Sequence, residues 1–508
     1  MKNKNIKTLI VTGLTLLNFN LAQAQSLELI WGKENKIDIT TNVVKNVISS
    51  DQKSYTFLLG PEIPTSVHNK FRVLKNNFEH DNELTINIPE KFNGKNAVQQ
   101  GMYKIGEKLV VFLSIIDTKT DRNKLYCLAV DEDSKISDEK LVDEIYYKGR
   151  KDKGSFIIQH LEGQKQFLIT HNEGFTKKGN DEVSFKLYKE DLTAIWEKNI
   201  TLPYLDKQFE ILGYQTDESN NIFLFGNFFV EKDVVRKTLF TYNHQSQQLE
   251  EVVVNFSTAS KVSNLNFTYE NGILNFTGFY YDEKDGMRGI CFTKINAKTL
   301  KTELEKLVPF SNSDILKFTS AKNVEKNKGI PKKFSIRQII TKDNGDMFII
   351  GEAFNVEVRA SKDGAYYTFN YDEIIVIRMN NNLEINWVSN IYKWQNSRDD
   401  GGLHSSYAML SDDKNFYFVY NDNHYSGLSE NGTWSYSSIQ TNYNPRLVIT
   451  AVTLDQKSGE FERKNLYRAP KKDNTTFIPV RSHKLNNKQL LVFAQRGSTY
   501  KVGIMTIK

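Results

Sequence analysis

The chain predicts an all-β protein: a single β-propeller of four-stranded blades, most simply eight of them, whose ring is closed by the N-terminal strand pairing with the C-terminal blade. Three observations carry that prediction. A polar turn followed by an apolar strand recurs along the sequence, helix-period segments are nearly absent, and one Trp-ended strand occurs three times, first at the start of the mature chain.

The recurring unit reads "SDQKSYTFLLG", "IGEKLVVFL", "LEGQKQFLIT", "DESNNIFLFG", "YENGILNFTG", "KDNGDMFIIG", "SDDKNFYFVY" and "LNNKQLLVF". These strands end near Gly60, Leu113, Thr170, Gly226, Gly278, Gly351, Tyr420 and Phe493, at spacings of 53, 57, 56, 52, 73, 69 and 73 residues. Each spacing has room for four short strands, and one unit displays them all as "FEILGYQ", "NIFLFGNFF", "KTLFTYN" and "LEEVVVNF". Repeats of this kind, with no helices between them, pack best radially. The first unit, from about Lys36 to Phe92, is irregular, and seven blades is the neighbouring count.

The Trp strands are "LELIW" at 27–31, "LTAIW" at 192–196 and "LEINW" at 383–387. The second and third follow a strand and a short polar hairpin, so each is the fourth strand of its blade. With Leu, Ala or Ile, and Trp at i, i+2 and i+4, the motif predicts one shared sheet face. The first copy has no third strand before it, whereas the chain ends in "YKVGIMTIK", a third strand with no fourth. Leu27, Leu29 and Trp31 are therefore expected to pair with the segment around Val502 to Ile507, leaving no open sheet edge.

Residues 1–24 read as a secretory signal: Lys2, Lys4 and Lys7, an apolar run from Leu9 to Leu21, then Ala22-Gln23-Ala24, with the propeller occupying 25–508. The run is too short to span a bilayer, and no later segment predicts a transmembrane helix. An exported monomer of the periplasm, cell surface or medium is expected. Losing the three lysines lowers Lys+Arg from 67 to 64 against 61 acids, so the mature chain lacks the basic excess of a nucleic-acid binder. Cys127 and Cys291 lie in apolar strand runs of distant repeats and read as buried thiols rather than a disulfide.

The stretch "DEIIVIRMNNNLEINWV" together with "DDGGLHSSYAML" resembles a family of exported bacterial propeller proteins from gram-negative gliding-type lineages. The resemblance covers most of 310–508 and implies the fold. WD40 and kelch signatures are missing, and that family has no assigned chemistry, so no site is implied.

Insertions fall on one side of the predicted ring: 310–334 between blades five and six, 355–370 within blade six, 392–404 between six and seven, and 421–444 within seven. The opposite side has tight turns such as "KED", "NNN" and "DNGD". Function concentrates on long loops carried by a rigid scaffold, which selects the long-loop face. Within 310–334, a short helix over about 311–328 is expected, capped by Ser311 or Ser313 and ended by Gly329 and Pro331, covering part of that face. The candidate ligand-binding residues are Trp394, Arg398, Asp399, Asp400, His404, Asp422, His424, Tyr425, Trp434 and Tyr436. Aromatics among Ser, Asn and Gly suit adaptable recognition of sugars or peptides.

No metal or cofactor motif is present: the eight His show no His-Glu-x-x-His spacing, "YDEKDGMRG" lacks the alternating acids of a Ca²⁺ loop, and "SENGTW" departs from the Asp box of sialidases in spacing and in Asn431. Two readings follow. The first is a binding or assembly module for a protein or glycan of the cell envelope. The other is a carbohydrate-active hydrolase or lyase using Asp399, Asp400 and Asp422, with His404 or His424 as proton carrier.

Overall fold

The computed structural model describes residues 27–36, 43–50, 54–60, 72–77, 82–106, 108–147, 152–161, 164–172, 179–231, 234–256, 261–282, 286–361, 364–428, 434–435, 438–441, 447–468 and 475–508. The expected signal peptide, 1–24, lies outside them, as does Tyr436. Among the described residues, no helix is long and apolar enough to cross a membrane.

The protein is a β-propeller. Its described residues form a run of antiparallel meanders, from Val43–Ser50, Ser54–Gly60, Arg72–Asn77 and Asn82–Asn87 in the first sheet to Ala408–Ser411, Asn415–Asn423, Leu447–Asp455 and Phe461–Arg468 in the seventh. The eighth sheet joins the chain ends: Gln489–Arg496 pairs with Thr499–Ile507, which pairs in turn with Leu27–Trp31. The register places Leu27 opposite Ile507, Leu29 opposite Met505 and Trp31 opposite Gly503. The turn Pro479–Arg481 of this last sheet touches Val43–Ser50 of the first, which also touches Lys95–Ile105 of the second.

Each consecutive pair of sheets from first to eighth encloses its own apolar cluster. The second strands read as continuous apolar runs because both of their faces are covered. In "LVVF", Val111 packs toward the first sheet, while Val110 and Phe112 pack toward the third. In "IFLF", Ile222 and Leu224 face the third sheet and Phe223 and Phe225 the fifth. Cys127 and Cys291 are buried free thiols in the second and fifth sheets, and burial pushes both up to about 12.

The three Trp strands differ from the expected shared face. Along Ala194–Leu205 the register slips between Ala194 and Trp196, and along Ile385–Ile391 it slips between Ile385 and Trp387. A bulge adds one residue and turns the following side chains to the other face. Leu192 therefore packs toward the second sheet while Trp196 packs toward the fourth. Leu383 and Ile385 likewise face the fifth sheet and Trp387 the seventh. The strand Leu27–Trp31 has no such slip, so Leu27, Leu29 and Trp31 all face the seventh sheet. Leu192 and Leu383 sit in the hairpins themselves, at φ of 63° and 57°. Burial of their side chains offsets a left-handed backbone that costs a non-glycine residue roughly 1–2 kcal/mol.

The expected helix over 311–328 is two short ones, Asn312–Leu316 and Ala321–Glu325. Ser311 and Asp314 form a capping box on the first, and Ser320 starts the second. The first docks on the edge strand Ile385–Ile391, where Lys317 Nζ donates to the Val388 carbonyl at 2.6 Å and Asn390 Nδ2 donates to the Lys317 carbonyl at 2.8 Å, and the second packs against the first. The insertion thus braces the outside of the sixth sheet.

Candidate functional site

Three of the insertions converge on the long-loop face. The strands Met347–Ser361 and Gly364–Met379 run on past the sixth sheet as a two-stranded ribbon, paired from Phe354 opposite Tyr371 to Ser361 opposite Gly364. The segment 355–370, expected as a loop, continues the alternation of the strands in "NVEVRA" and "AYYTFN". Gln395–Arg398 then adds antiparallel to the ribbon, with Thr368 opposite Arg398, and Ile439–Gln440 adds parallel to Gln395–Arg398. The result is a small composite sheet, built from the ribbon and from the 392–404 and 421–444 insertions.

A buried polar network fixes its base. Lys393 is fully buried, with Nζ 2.7 Å from Glu352 Oε1, and it donates to the Tyr371 carbonyl and Gln395 Oε1 at 3.1 Å each. Glu352 also takes Arg337 Nη2 at 3.0 Å and the Ser406 hydroxyl at 2.8 Å. Gln395 Nε2 donates to the Asn421 carbonyl at 2.8 Å, and Asn421 Nδ2 to the carbonyls of His404 and Phe477. The sixth, seventh and eighth sheets are thereby linked beneath the insertions. Burial lowers the Lys393 pKa, against the opposing pull of Glu352. Sequence reasoning missed Glu352 and Lys393; their signal was a charge inside the apolar runs "IIGEAF" and "NIYKWQ".

Of the predicted site residues, Trp394, Arg398, Asp399 and Asp400 fall on or next to this sheet. Trp394 precedes its central strand and is 52% exposed, while its carbonyl accepts from Ile439 N at 3.0 Å. The Arg398 guanidinium lies 3.8 Å from the centre of the Tyr366 ring. Asp399 holds that strand to the ribbon: its Oδ1 accepts from Tyr367 N at 2.8 Å, and its own N–H donates to the Tyr367 carbonyl at 3.0 Å. Asp400 Oδ1 accepts from Gly402 N at 2.9 Å. Tyr425 is 58% exposed, with its ring 3.8 Å from that of His424.

The acids and histidines do not gather into one constellation. Asp422 is buried in the seventh sheet and ion-paired with Arg463, and its Oδ1 accepts from Asn423 N at 2.8 Å. His404 Nδ1 lies 3.3 Å from the Phe477 carbonyl, and burial lowers the pKa of its ring. Trp434 belongs to a short ribbon, Gly427–Leu428 with Trp434–Ser435, at the tip of the 421–444 insertion. Among the described residues, no group of three or more His, Cys, Asp or Glu is placed to hold a metal ion.

No protein-family model and no curated protein matches the chain. Among solved structures, it is similar to the WD40 domain of SCAP from fission yeast at 10% identity, over 95% of this chain and 98% of that one, with a TM-score of 0.40. Saccharomyces cerevisiae Sqt1 matches at 9% identity over 94% and 98%, with a TM-score of 0.41. A protein of unknown function from Bacteroides caccae matches at 10% identity over 67% and 94%, with a TM-score of 0.28. These likenesses concern fold alone.

Proposed function

We propose that the protein is exported, residues 1–24 being removed, and acts at the cell envelope as a binding or assembly module that holds a protein or glycan on the composite sheet. The observation that carries this reading is the apolar and aromatic surface the insertions expose: Val356, Val358 and Tyr367 on the ribbon, Trp394 just before the strand that joins it, and Tyr425 in the turn that opens the 421–444 insertion. Exposed apolar groups on a scaffold braced from beneath mark a contact surface, and aromatic faces suit sugar rings as well as peptides. A glycoside hydrolase would need carboxylates free to face one another. Asp399 is instead bonded to the ribbon backbone and Asp422 to Arg463, which favours binding over hydrolysis.

Affinity capture from an envelope extract, analysed for both protein and carbohydrate, tests the reading. Specific retention of either is expected. Retention of neither under gentle washing would remove its support.

A further inference from the structure

A second feature lies away from the composite sheet, between the third and fourth sheets. The innermost strands Phe156–Leu161 and Phe209–Thr216 flank a cleft of about 730 Å³, and the loop ends that reach it come from the long-loop side of the ring. Its walls include Asp152, Asp181, Asp206 and Glu210 together with Ile157 and Leu212, and among the described residues no Lys or Arg lines it.

Three of these acids are engaged with, or belong to, local backbone and side-chain structure. Asp152 Oδ1 accepts from Gly154 N at 2.9 Å, Glu210 Oε2 accepts from Asn227 Nδ2 at 2.8 Å, and Asp206 opens the turn Asp206–Gln208. Asp181 is different. It is the second residue of the third strand of its sheet, Asn180–Lys189, and is only 4% exposed, yet its side chain makes no hydrogen bond or ion pair with any described residue. Its charged neighbour is another carboxylate, Asp206, and the two conditions push its pKa up to about 6, burial first and Asp206 second. A buried carboxyl group without a partner is costly unless a ligand completes it.

The walls define that ligand. Ile157 and Leu212 are half exposed, at 51% and 46%, and present apolar surface within an acidic cleft. Among the described residues, the acids do not form a group placed to hold a metal ion. A charge carried on an apolar stem fits better than a compact ion. We propose that this cleft is a binding site for an organic cation, a protonated amine or a guanidinium on an apolar stem, with Asp181 as its charged anchor and Ile157 and Leu212 as its walls. Asp206 and Glu210 add long-range attraction. Binding of the cation favours the charged form of Asp181, so near pH 6 it releases a proton from that group; among the described residues, Asp152, Asp206, Glu210 and Tyr214 are the other titratable groups lining the cleft.

Calorimetric titration of the purified protein tests this with two cations from different sources, 1,5-diaminopentane as a free amine and N-acetyl-arginine methylamide as a peptide side chain, and with 1-pentanol as a neutral control. Saturable binding of at least one cation at pH 7.5 is expected, weakened at least about tenfold by Asp181→Asn, with no saturable binding of the alcohol. At pH 6 the heat of binding should vary with the ionisation enthalpy of the buffer. If neither cation binds, or if Asp181→Asn binds as tightly as the parent, the proposal is overturned. Should Asp181→Asn fail to fold, Leu212→Arg decides: a guanidinium tethered at the wall raises the melting temperature if the cleft accepts cations, and an unchanged or lowered value overturns the proposal.

Discussion

Leu27 lies opposite Ile507, and the antiparallel register continues without a slip to Trp31 opposite Gly503. The first described residues of the chain are thus the outer strand of its last sheet, and Leu27, Leu29 and Trp31 pack with the cluster between the seventh and eighth sheets. Deleting Ser26 to Lys33 removes three large side chains, each worth about 1.5–3 kcal/mol when buried, and uncovers a strand edge. A large fall in melting temperature and a tendency to aggregate are expected in thermal unfolding with light scattering. A permutant joining Lys508 to Ser26 and opened at a long-face insertion should fold.

Gly503 is the counterpart of that closure. A Cβ there would lie 2.7 Å from Trp31 Cε3 and 2.8 Å from the Ile30 carbonyl. Gly503→Ala should lower stability by about 1–3 kcal/mol, the usual cost of overpacking. The urea midpoint reads it, and an unchanged midpoint would show that the first strand can shift away.

Lys393 and Glu352 form a buried pair beneath the composite sheet. Lys393→Met strips Glu352 of its closest cation and should cost about 3–5 kcal/mol, whereas removing both charges with Lys393→Met and Glu352→Leu should recover part of it. Chemical denaturation of both variants and the parent makes the comparison. A double variant less stable than the single one would mean that Arg337 and Ser406 depend on Glu352 more than Lys393 does.

Asp181 gives stability a pH dependence of known sign. Its folded pKa is raised to about 6 from 3.8, so the folded state binds the proton more tightly than the unfolded one. The stabilising contribution is complete below the ordinary value near 4 and is lost as pH rises through 6. Asp181→Asn should therefore flatten the stability profile between about pH 4 and pH 7, and leave the variant about 2–3 kcal/mol more stable relative to the parent at pH 7 than at pH 4. Parallel denaturation curves across that range check it; parallel pH profiles for the two proteins would contradict it.

The repeats and the ring closure were legible because strand alternation and turn residues can be read along the chain, and because a third strand lacking its fourth stands at one end with its missing partner at the other. Trp196 and Trp387 were assigned to the face of Leu192 and Leu383 because a bulge leaves no mark in composition; it shows only in the register against the neighbouring strand. The ribbon over 355–370 was legible in principle, since Val356 and Val358 alternate with Glu357 and Arg359. Asp422 could not be separated from the surface acids by sequence, because its partner Arg463 lies 41 positions later on another strand of the same sheet. Asp181 was passed over because nothing in the polar stretch "GNDEV" marks it as buried.

The central claim is that the composite sheet is the contact surface, and the most direct measurement is envelope capture with a double variant, Trp394→Ala with Tyr425→Ala. Both side chains are more than half exposed, so the variant should keep the parent's melting temperature. The account predicts that it loses most of the captured partner, while Asp181→Asn, on the other cleft, retains it. Undiminished capture by a folded double variant would contradict the account.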